Sequence, residues 1–383
     1  MSELSYLENL LNGVEVKWLA LENAAELKRG KRLVRSQLEL EGEFAVYQNS
    51  MTPLGYYHQH NTNPDTTFVI CAGAAGEIGY SSSPFWAADD VYYVASTNLL
   101  NSKFLYHYLL TQKNKISSQV RKASIPRLSK TSLDRIFVPI PCPNIPEKSL
   151  AIQAEIVRVL DKFTALTAEL TAELTAELNM RKKQYNHYRD QLLSFEGGSV
   201  EWKSLGEVAI ITIGAFVRKD KQNPDADYPV YNGGRTPTGY YEDFNNDGDK
   251  IIVSARGANA GFVNKSSTPY WAGNSCYSIS VRSTEQLHWM YVYYYLKQSE
   301  TKLTGIQQKG GIPAVSKKQM EDLLLPIPSK SEQVRIVTIL DKFDTLTSSI
   351  TEGLPREIEL RQKQYEYYRD LLFSFPKHET TSN

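Results

Sequence analysis

The side chains that most often carry covalent or metal chemistry are present in this chain, but they are not grouped as such chemistry requires. The six histidines show neither metal-ligand spacing nor a paired nucleophile, and the three cysteines form no CxxC pair. There is no Walker A loop, and GAAGEIG at 73–79 is not a dinucleotide-binding fingerprint. Nothing in the sequence points to a two-carboxylate nuclease site. We therefore expect no catalytic residues, no metal and no cofactor in this chain.

Binding chemistry is better represented than catalysis. Arginine, lysine, asparagine and glutamine recur on segments rich in glycine and proline, which predict turns and loops. Tyrosine is abundant at 24 residues, and many tyrosines are adjacent in pairs, which suits interfaces, sheet edges or base contacts. The elements that must position these loops follow from an internal repeat.

The sequence is a tandem repeat of a globular segment followed by a helical segment. The matching strings are FAVYQNSMTPLGYY at 44–57 and YPVYNGGRTPTGYY at 228–241, PFWAADDVY at 84–92 and PYWAGNSCY at 269–277, KASIPRLSK at 122–130 and KGGIPAVSK at 309–317, and EIVRVLDKF at 155–163 and RIVTILDKF at 335–343. The order along the chain is therefore globule, helix, globule, helix.

The first helical segment contains TAEL three times in succession, at 167–178. Ala, Glu and Leu favour helix, and no Gly or Pro interrupts the stretch 150–195. Leu170, Leu174 and Leu178 recur every four residues and form an apolar stripe, which predicts packing against a second helix. In the second helical segment the TAEL block is replaced by TSSITEGLPREI at 348–359, where Gly353 and Pro355 predict a break.

These patterns predict an α+β fold with two similar globules and strongly curved β-sheets. The globules are separated by two long helices that pack as an antiparallel coiled coil, and a pseudo-twofold axis relates the two repeats. We assign residues 1–147 and 197–328 to the globules and residues 148–196 and 329–383 to the helical spacers. One helix is expected in each globule, at 102–112 and 285–297. Trp18, Trp86, Trp202 and Trp271 recur in register, which predicts core positions.

The bulk composition sets limits on partners and location. With 43 basic and 43 acidic residues the net charge is zero, so a general basic field is absent, although local patches can still bind nucleic acid. No signal peptide or membrane-spanning apolar run is evident, and the odd cysteine count favours a reducing cytoplasm.

The helical strings resemble a known family over nearly the whole chain. The TAEL block, LDKFTAL at 160–166, RKKQYNHYRDQLLSF at 181–195 and ITEGLPREIELRQKQYEYYRDLLFSFPK at 350–377 are similar to the specificity (S) subunits of Type I restriction–modification systems, in particular the IC group. The tandem TAEL block is the most specific of these motifs.

The resemblance implies the function and the partners. Each globule would be a target-recognition domain that reads one half of a bipartite, asymmetric site in double-stranded DNA. The spacers would set the unread gap and dock two modification (methyltransferase) subunits, and restriction (translocase and nuclease) subunits would join the complex. S-adenosylmethionine, ATP and Mg would be bound by those partners. In agreement, Asn63-Pro64-Asp65 and Asn223-Pro224-Asp225 lack the second Pro and the aromatic residue of an adenine methyltransferase motif.

Loop arginine, lysine and amide side chains are the candidate DNA contacts, because Lys and Arg bind phosphates while Arg, Asn and Gln also read base edges. In the first globule the candidates are Lys28, Arg29, Lys31, Arg32, Gln48, Asn49, Arg121, Lys122 and Arg127. In the second globule they are Arg218, Lys219, Asn232, Arg235, Arg256, Asn259, Lys309, Lys317 and Lys318. Lys122 and Lys309 occupy equivalent positions before an Ile-Pro pair. For any one of these cations taken alone, a solvated surface position is the competing interpretation.

A second interpretation of the whole chain is a structural adaptor, in which both globules bind proteins and the coiled coil acts only as a spacer. Methylation of host DNA in the presence of the methyltransferase partner distinguishes the two hypotheses.

Overall fold

The computed structural model describes residues 4–95, 97–195, 200–307, 311–349 and 351–376. The chain forms two compact units, of which the first contains residues 1–173 and 358–383 and the second contains residues 174–357. Each unit therefore combines one globule with parts of two helical segments. The predicted domain bounds follow the chain, whereas the compact units cross these bounds because the helices pack against the globules.

The first unit begins with a helix that the sequence pattern did not predict. Its described elements are α1 (Leu4–Leu11), β1 (Val16–Ala20), α2 (Leu21–Ala24), β2 (Leu27–Arg29), a 3₁₀ turn (Arg35–Gln37), β3 (Phe44–Tyr47), β4 (Gly55–Tyr57), β5 (Thr66–Ile70), β6 (Ile78–Ser81), β7 (Trp86–Ala87), β8 (Val91–Val94), α3 (Ser102–Thr111), α4 (Lys113–Ser118), α5 (Lys130–Asp134) and β9 (Phe137–Pro141). The long helix α6 (Pro146–Leu192) then continues into the second unit.

The second unit repeats this order. Its elements are β10 (Glu201–Ser204), α7 (Leu205–Val208), β11 (Ala209–Ile213), a 3₁₀ turn (Lys219–Lys221), β12 (Tyr228–Tyr231), β13 (Gly239–Tyr241), β14 (Lys250–Ser254), β15 (Val263–Ser266), β16 (Trp271–Ala272), β17 (Cys276–Val281), α8 (Trp289–Gln298), α9 (Glu300–Gly305), α10 (Lys317–Glu321), β18 (Leu324–Ile327) and α11 (Lys330–Ser348). Helix α12 (Leu354–Leu372) follows and extends back into the first unit.

The described residues of each unit form three small sheets, and the strand order of these sheets is the same in both units. In the first unit the strand orders are β1-β9, β2-β8-β5-β6 and β4-β3-β7, and in the second they are β10-β18, β11-β17-β14-β15 and β13-β12-β16. The pairs β3-β7 and β12-β16 are parallel, with Val46 opposite Trp86 and Val230 opposite Trp271. The other pairs in these sheets are antiparallel. The predicted α+β class and internal repeat are confirmed, although each globule carries more helices than the one expected.

The long helix and the helix break follow the sequence prediction. Helix α6 has 47 residues, which corresponds to about 70 Å at 1.5 Å per residue. Leu170, Leu174 and Leu178 are half-buried along it. At Gly353 a Cβ atom would lie 2.4 Å from the Thr345 carbonyl oxygen, so the close approach of two backbone segments between α11 and α12 requires glycine.

Packing of one helix on another is visible within each unit, and in the first unit it is antiparallel. In the first unit the Phe163 ring stacks on Tyr368 with centroids 5.5 Å apart, and the Thr164 hydroxyl lies 3.1 Å from the Tyr365 hydroxyl. As numbers rise along α6, they fall along α12. In the second unit Tyr188 of α6 stacks on Phe343 of α11 at 5.6 Å.

A buried glutamine fixes each globule to its helix. Gln153 of α6 and Gln333 of α11 are both 0% exposed. The Gln153 side chain accepts from the Asn101 amide at 2.8 Å and donates to the Leu99 carbonyl at 2.9 Å. Gln333 accepts from the His288 amide at 2.8 Å and donates to the Gln286 carbonyl at 3.0 Å. Both glutamines therefore bond the loop that precedes the main helix of the globule.

An aspartate two turns further along each helix makes a second contact with that same globular helix. Asp161 accepts from Lys103 Nζ at 2.7 Å and lies 3.4 Å from Nε2 of His107. Asp341 accepts from the Tyr294 hydroxyl at 2.5 Å. His107 and Tyr294 occupy equivalent positions of α3 and α8. His107 is 2% exposed, and its Nδ1 has no hydrogen-bond partner among the described residues.

We predict that Gln153→Met destabilises the first unit by about 2–4 kcal/mol, because it leaves the part-buried Asn101 amide and Leu99 carbonyl without partners. Gln333→Met has the same effect on the second unit. Hydrogen exchange followed by mass spectrometry reports protection of α3 and α8 separately. The exposed Gln119→Met is the control and leaves both unchanged; equal protection in all three variants contradicts the prediction.

The second prediction concerns pH. Burial lowers the pKa of His107 to about 4, with Lys103 and Arg369 acting in the same direction and Asp161 opposing them. Because the folded-state pKa lies below the unfolded value, His107 favours folding fully above about pH 6.5, and this contribution is lost as the pH falls towards 4. The loss is about 1–2 kcal/mol at pH 5. His107→Tyr, which copies Tyr294 of the second unit, removes this loss, so urea unfolding of the variant shows a smaller decrease between pH 7 and pH 5.

Candidate nucleic-acid interface

Three loops of the first unit meet at one place, and we call residues 48–50, 71–76 and 121–128 the first loop cluster. The Gly73 amide donates to the Pro126 carbonyl at 3.1 Å, and the Ala74 amide donates to the Asn49 carbonyl at 2.9 Å. The Leu128 amide donates to the Cys71 carbonyl at 2.9 Å. The backbone of all three loops is therefore held by hydrogen bonds, and the cluster carries exposed side chains such as Asn49, Arg121, Lys122 and Arg127.

The second loop cluster, residues 232–234, 255–261 and 311–315, shares two of these three backbone bonds. The Gly257 amide donates to the Pro313 carbonyl at 2.9 Å, and the Val315 amide donates to the Ala255 carbonyl at 2.9 Å. Gly73 and Gly257 have φ of +81° and +94°, a region that favours glycine. At Gly73 a Cβ atom would also lie 2.7 Å from the Asn49 carbonyl oxygen. The two clusters are thus built on one backbone design.

Two further side-chain contacts, one from an asparagine and one from a tryptophan, are repeated in both units. The Asn61 side chain bonds both the amide and the carbonyl of Ala87, at 2.7 and 2.9 Å, and Asn245 bonds Ala272 in the same way at 2.6 and 2.9 Å. The indole of Trp86 donates to the Lys31 carbonyl at 2.9 Å. These bonds fix the position of the segment that carries Lys31 and its counterpart Ala215, which accepts from Trp271 at 2.8 Å.

One arginine lies at the same β-bridge in both clusters, but on opposite strands. Arg127 faces Ala72 in the first unit, and Arg256 faces Ala314 in the second. The hydrogen bonds flank each pair rather than join it, so the two side chains of a pair are close and on the same face. The cluster backbone is therefore constant, while the strand that supplies the guanidinium group differs.

The structure brings several first-unit candidates together. Arg121 and Arg127 exchange backbone hydrogen bonds at 2.8 and 3.2 Å and close the turn that carries the exposed Lys122. Arg29 donates from Nε to the Asp89 carbonyl at 2.8 Å. Arg29 and Arg127 both lower the pKa of Cys71, against the larger raising effect of burial, so both guanidinium groups lie near the cluster.

The remaining first-unit candidates have more varied surroundings. Gln48 is half-buried and Asn49 is exposed at the end of β3, within the cluster. Lys31 and Arg32 are exposed beyond β2. Lys28 makes an ion pair with Glu26 at 3.3 Å.

In the second unit, Asn232, Arg256 and Asn259 belong to the loop cluster. Asn232 accepts from the Ser275 amide at 3.2 Å, so its oxygen supports the loop. Arg235 donates from Nε to Asn259 at 3.3 Å and lies over the Phe262 ring, 5.4 Å from its centroid. Lys309 lies outside the described residues.

Ion pairing separates the candidate cations into two groups. Arg218 pairs with Asp220 at 2.8 Å, and Lys317 and Lys318 pair with Glu321 and Asp322 at 3.6 and 2.6 Å. Among the described residues, no carboxylate lies within ion-pair distance of a second group. That second group contains Arg29, Lys31, Arg32, Arg121, Lys122, Arg127, Lys219, Arg235 and Arg256. The cations of this second group, which include both bridge arginines, therefore carry charge that no described carboxylate balances.

The aromatic residues mostly have packing roles. Tyr57 packs edge-on against Trp86 at 5.2 Å, and Tyr241 packs in the same way against Trp271 at 5.0 Å. The prediction of a core position is wrong for Trp202, which is 46% exposed. Its counterpart Trp18 packs against Tyr108, with ring centroids 6.3 Å apart.

The described residues contain no group of histidine, cysteine or acidic side chains that could hold a metal ion. In the same part of the chain, no helix combines the length and the apolar character that crossing a bilayer requires.

Comparison with known proteins defines the class. The family model of the type I restriction modification DNA specificity domain matches residues 14–180 and 199–360, once in each repeat. The Escherichia coli EcoR124I/EcoR124II specificity subunit is 39% identical over 100% of both chains. The Escherichia coli EcoprrI specificity subunit is 35% identical over 92% of this chain and 93% of its own length.

Solved structures share the fold. The S subunit of a type I restriction–modification system from M. genitalium superposes with a TM-score of 0.53 at 19% identity, covering 96% of this chain and 98% of that one. A chain from a structure of type I restriction–modification assembly gives 0.62 at 16% identity, covering 94% and 97%.

The chain belongs to the specificity subunits of type I restriction–modification systems. It is the DNA-recognition subunit and not the enzyme. The alternative interpretation as a protein-binding adaptor is therefore not supported. The sequence analysis did not predict that Arg127 and Arg256 lie at the same bridge, because the two residues come from different segments of the repeat. Aligning CAG at 71–73 with ARG at 255–257 would have shown that Arg256 corresponds to Ala72, the residue that faces Arg127.

Proposed function

We propose that each unit reads one half of a bipartite, asymmetric double-stranded DNA site through its loop cluster. The observation that carries this proposal is the pair of clusters that share the two backbone bonds flanking the bridge and carry different side chains. Specific reading of bases requires side-chain donors and acceptors at fixed positions. A backbone held by hydrogen bonds fixes the positions of the side chains it carries. Two halves of unlike sequence require unlike side chains, which the two clusters present.

The bridge arginines Arg127 and Arg256 are the base-reading residues we favour in each half. Both are exposed and unpaired among the described residues, and arginine commonly makes a bidentate contact with guanine. Cross-strand Cβ atoms at such a bridge are about 5 Å apart. This distance exceeds the rise of about 3.4 Å per base pair, so moving the arginine to the facing strand changes which base pair it reaches.

The partners we propose are two modification subunits docked on the helical spacers, joined by restriction subunits. The chain then directs adenine methylation, or cleavage of unmodified DNA, carried out by these partners. S-adenosylmethionine, ATP and Mg are bound by the partners. Support comes from the family and from the absence of catalytic motifs in the sequence. A cytoplasmic location agrees with this role.

The TAEL block is proposed to set the unread gap. Four helical residues add about 6 Å and about 400° of rotation, which leaves a net phase change of about 40°. One base pair adds about 3.4 Å and about a tenth of a turn. The phase change per TAEL unit is therefore close to the twist of one base pair.

The third prediction tests the bridge arginines. Arg127→Ala lowers methylation of the cognate site by about 10- to 100-fold and relaxes the preference at one position of the first half, because one bidentate contact is lost. Methylation sequencing of a methylation-deficient host that expresses the chain with its modification partner measures both effects. The exposed Arg135→Ala, outside the cluster, is the control.

An exchange variant sharpens this test. Ala72→Arg combined with Arg127→Ala places the guanidinium on the opposite strand, as in the second unit, and we expect methylation to return at a site with a changed first half. If Arg127→Ala leaves the first-half sequence unchanged and its methylation within twofold, Arg127 is not a base reader.

The fourth prediction concerns the spacer. Deletion of Thr175–Leu178 shortens the preferred gap by about one base pair while both half-sites stay the same. The same methylation sequencing reads the gap directly. Ala176→Ser keeps the length of the helix and is the control. An unchanged gap in the deletion variant excludes the ruler function of the repeats.

A further inference from the structure

Two exposed isoleucines occupy the same position of the two loop clusters. Ile125 is 53% exposed and Ile312 is 76% exposed. Each directly precedes the proline whose carbonyl accepts from Gly73 or Gly257. The residues around them have diverged, since Arg127 is replaced by Ala314 and Ser124 by Gly311. An exposed apolar side chain that persists in both units therefore has a role that does not depend on the base sequence read.

The backbone restricts the positions of both isoleucines. The residue before a proline is restricted to extended conformations, so Ile125 and Ile312 have little backbone freedom. The following carbonyl groups, of Pro126 and Pro313, are fixed by hydrogen bonds of 3.1 and 2.9 Å. The cost of ordering the isoleucine on binding is consequently small.

The surroundings favour nucleic acid over a protein partner. Ile125 lies in a turn with Arg121, Lys122 and Arg127, none of which has an acidic partner among the described residues. A stable protein interface requires a well-packed patch with an apolar core, and one isoleucine amid three cations does not supply it. Cations around an apolar tip match a DNA backbone flanking a base step.

We propose that Ile125 and Ile312 act as wedges, each inserted partly between adjacent base pairs of its half-site. Apolar side chains, isoleucine among them, unstack a base step in this way when basic neighbours hold the phosphates. The inference rests on the proposed function and adds deformation of the DNA to direct reading of bases. Each half-site is then selected also by how easily that step unstacks.

The experiment uses the complex of the full chain with its modification subunits. Its recognition sequence is first obtained by methylation sequencing. Duplexes with 2-aminopurine placed in turn along each half-site then report unstacking as increased fluorescence, and titration gives the dissociation constant. The variants are Ile125→Ala, Ile312→Ala and the conservative Ile125→Leu. The control is Ile145→Ala, since Ile145 is 52% exposed and outside the clusters.

We expect the parent complex to increase the fluorescence at one step of each half-site. Ile125→Ala abolishes the increase in the first half only, Ile312→Ala abolishes it in the second half only, and each raises the dissociation constant about tenfold. Ile125→Leu and Ile145→Ala retain the parent signal. Because hydrogen exchange is measured on every variant, a loss of signal through misfolding is recognised.

Any of three results would contradict insertion of the isoleucines. In the first, the fluorescence increase persists in both alanine variants. In the second, affinity falls while the fluorescence change stays, which indicates a groove contact without insertion. In the third, Ile125→Ala disrupts assembly with the modification subunits, which places the isoleucine in a protein interface. Failure of the proposed function is distinguishable, because the parent complex then neither methylates nor binds a bipartite sequence.

Discussion

A hydrogen-bonded amide with no access to solvent sets the geometry on which the rest of each unit depends. Gln153 and Gln333 each bond backbone groups of the loop that leads into the main globular helix. Leaving a buried amide without a hydrogen-bond partner costs free energy. One position of the globule along its helix, the one that satisfies this amide, is therefore favoured. Apolar contacts alone, such as those of Ile156 and Leu160, would tolerate sliding. The loop cluster is consequently fixed in orientation relative to the helix that carries it.

The same division of labour recurs inside the loop clusters. Backbone groups and glycines with positive φ, such as Gly73 and Gly257, determine the shape, and the exposed side chains remain free to vary. The bridge arginine shows how far this freedom goes, since Arg127 and Arg256 occupy opposite strands of an unchanged bridge. On the proposed function, a recognition module can therefore change its target without changing its fold, because the bridge arginine moves while the backbone bonds that flank the bridge are kept.

Sequence patterns were sufficient for the repeat, the long helix and the break at Gly353, because helical periodicity and glycine act locally. They were insufficient for Gln153, since glutamine is usually exposed and its burial depends on a loop 52 residues away. Register in the sequence also predicted Trp202 as core, although it is 46% exposed. For the candidate contacts, residue type was enough to identify the cations. Only the structure shows that Arg218 is paired with Asp220, whereas Arg121 has no such partner among the described residues.

The zero net charge of the chain affects how strongly it binds DNA without regard to sequence. Non-specific affinity for DNA grows with the number of phosphates neutralised, independently of sequence. Acidic partners on Arg218, Lys317 and Lys318 reduce that term, whereas the bridge arginines keep their charge at the loop clusters. If the loop clusters read bases as proposed, cations placed there raise the ratio of specific to non-specific binding more than they raise total affinity. A subunit whose task is discrimination gains from this arrangement, because the assembled complex can supply further phosphate contacts.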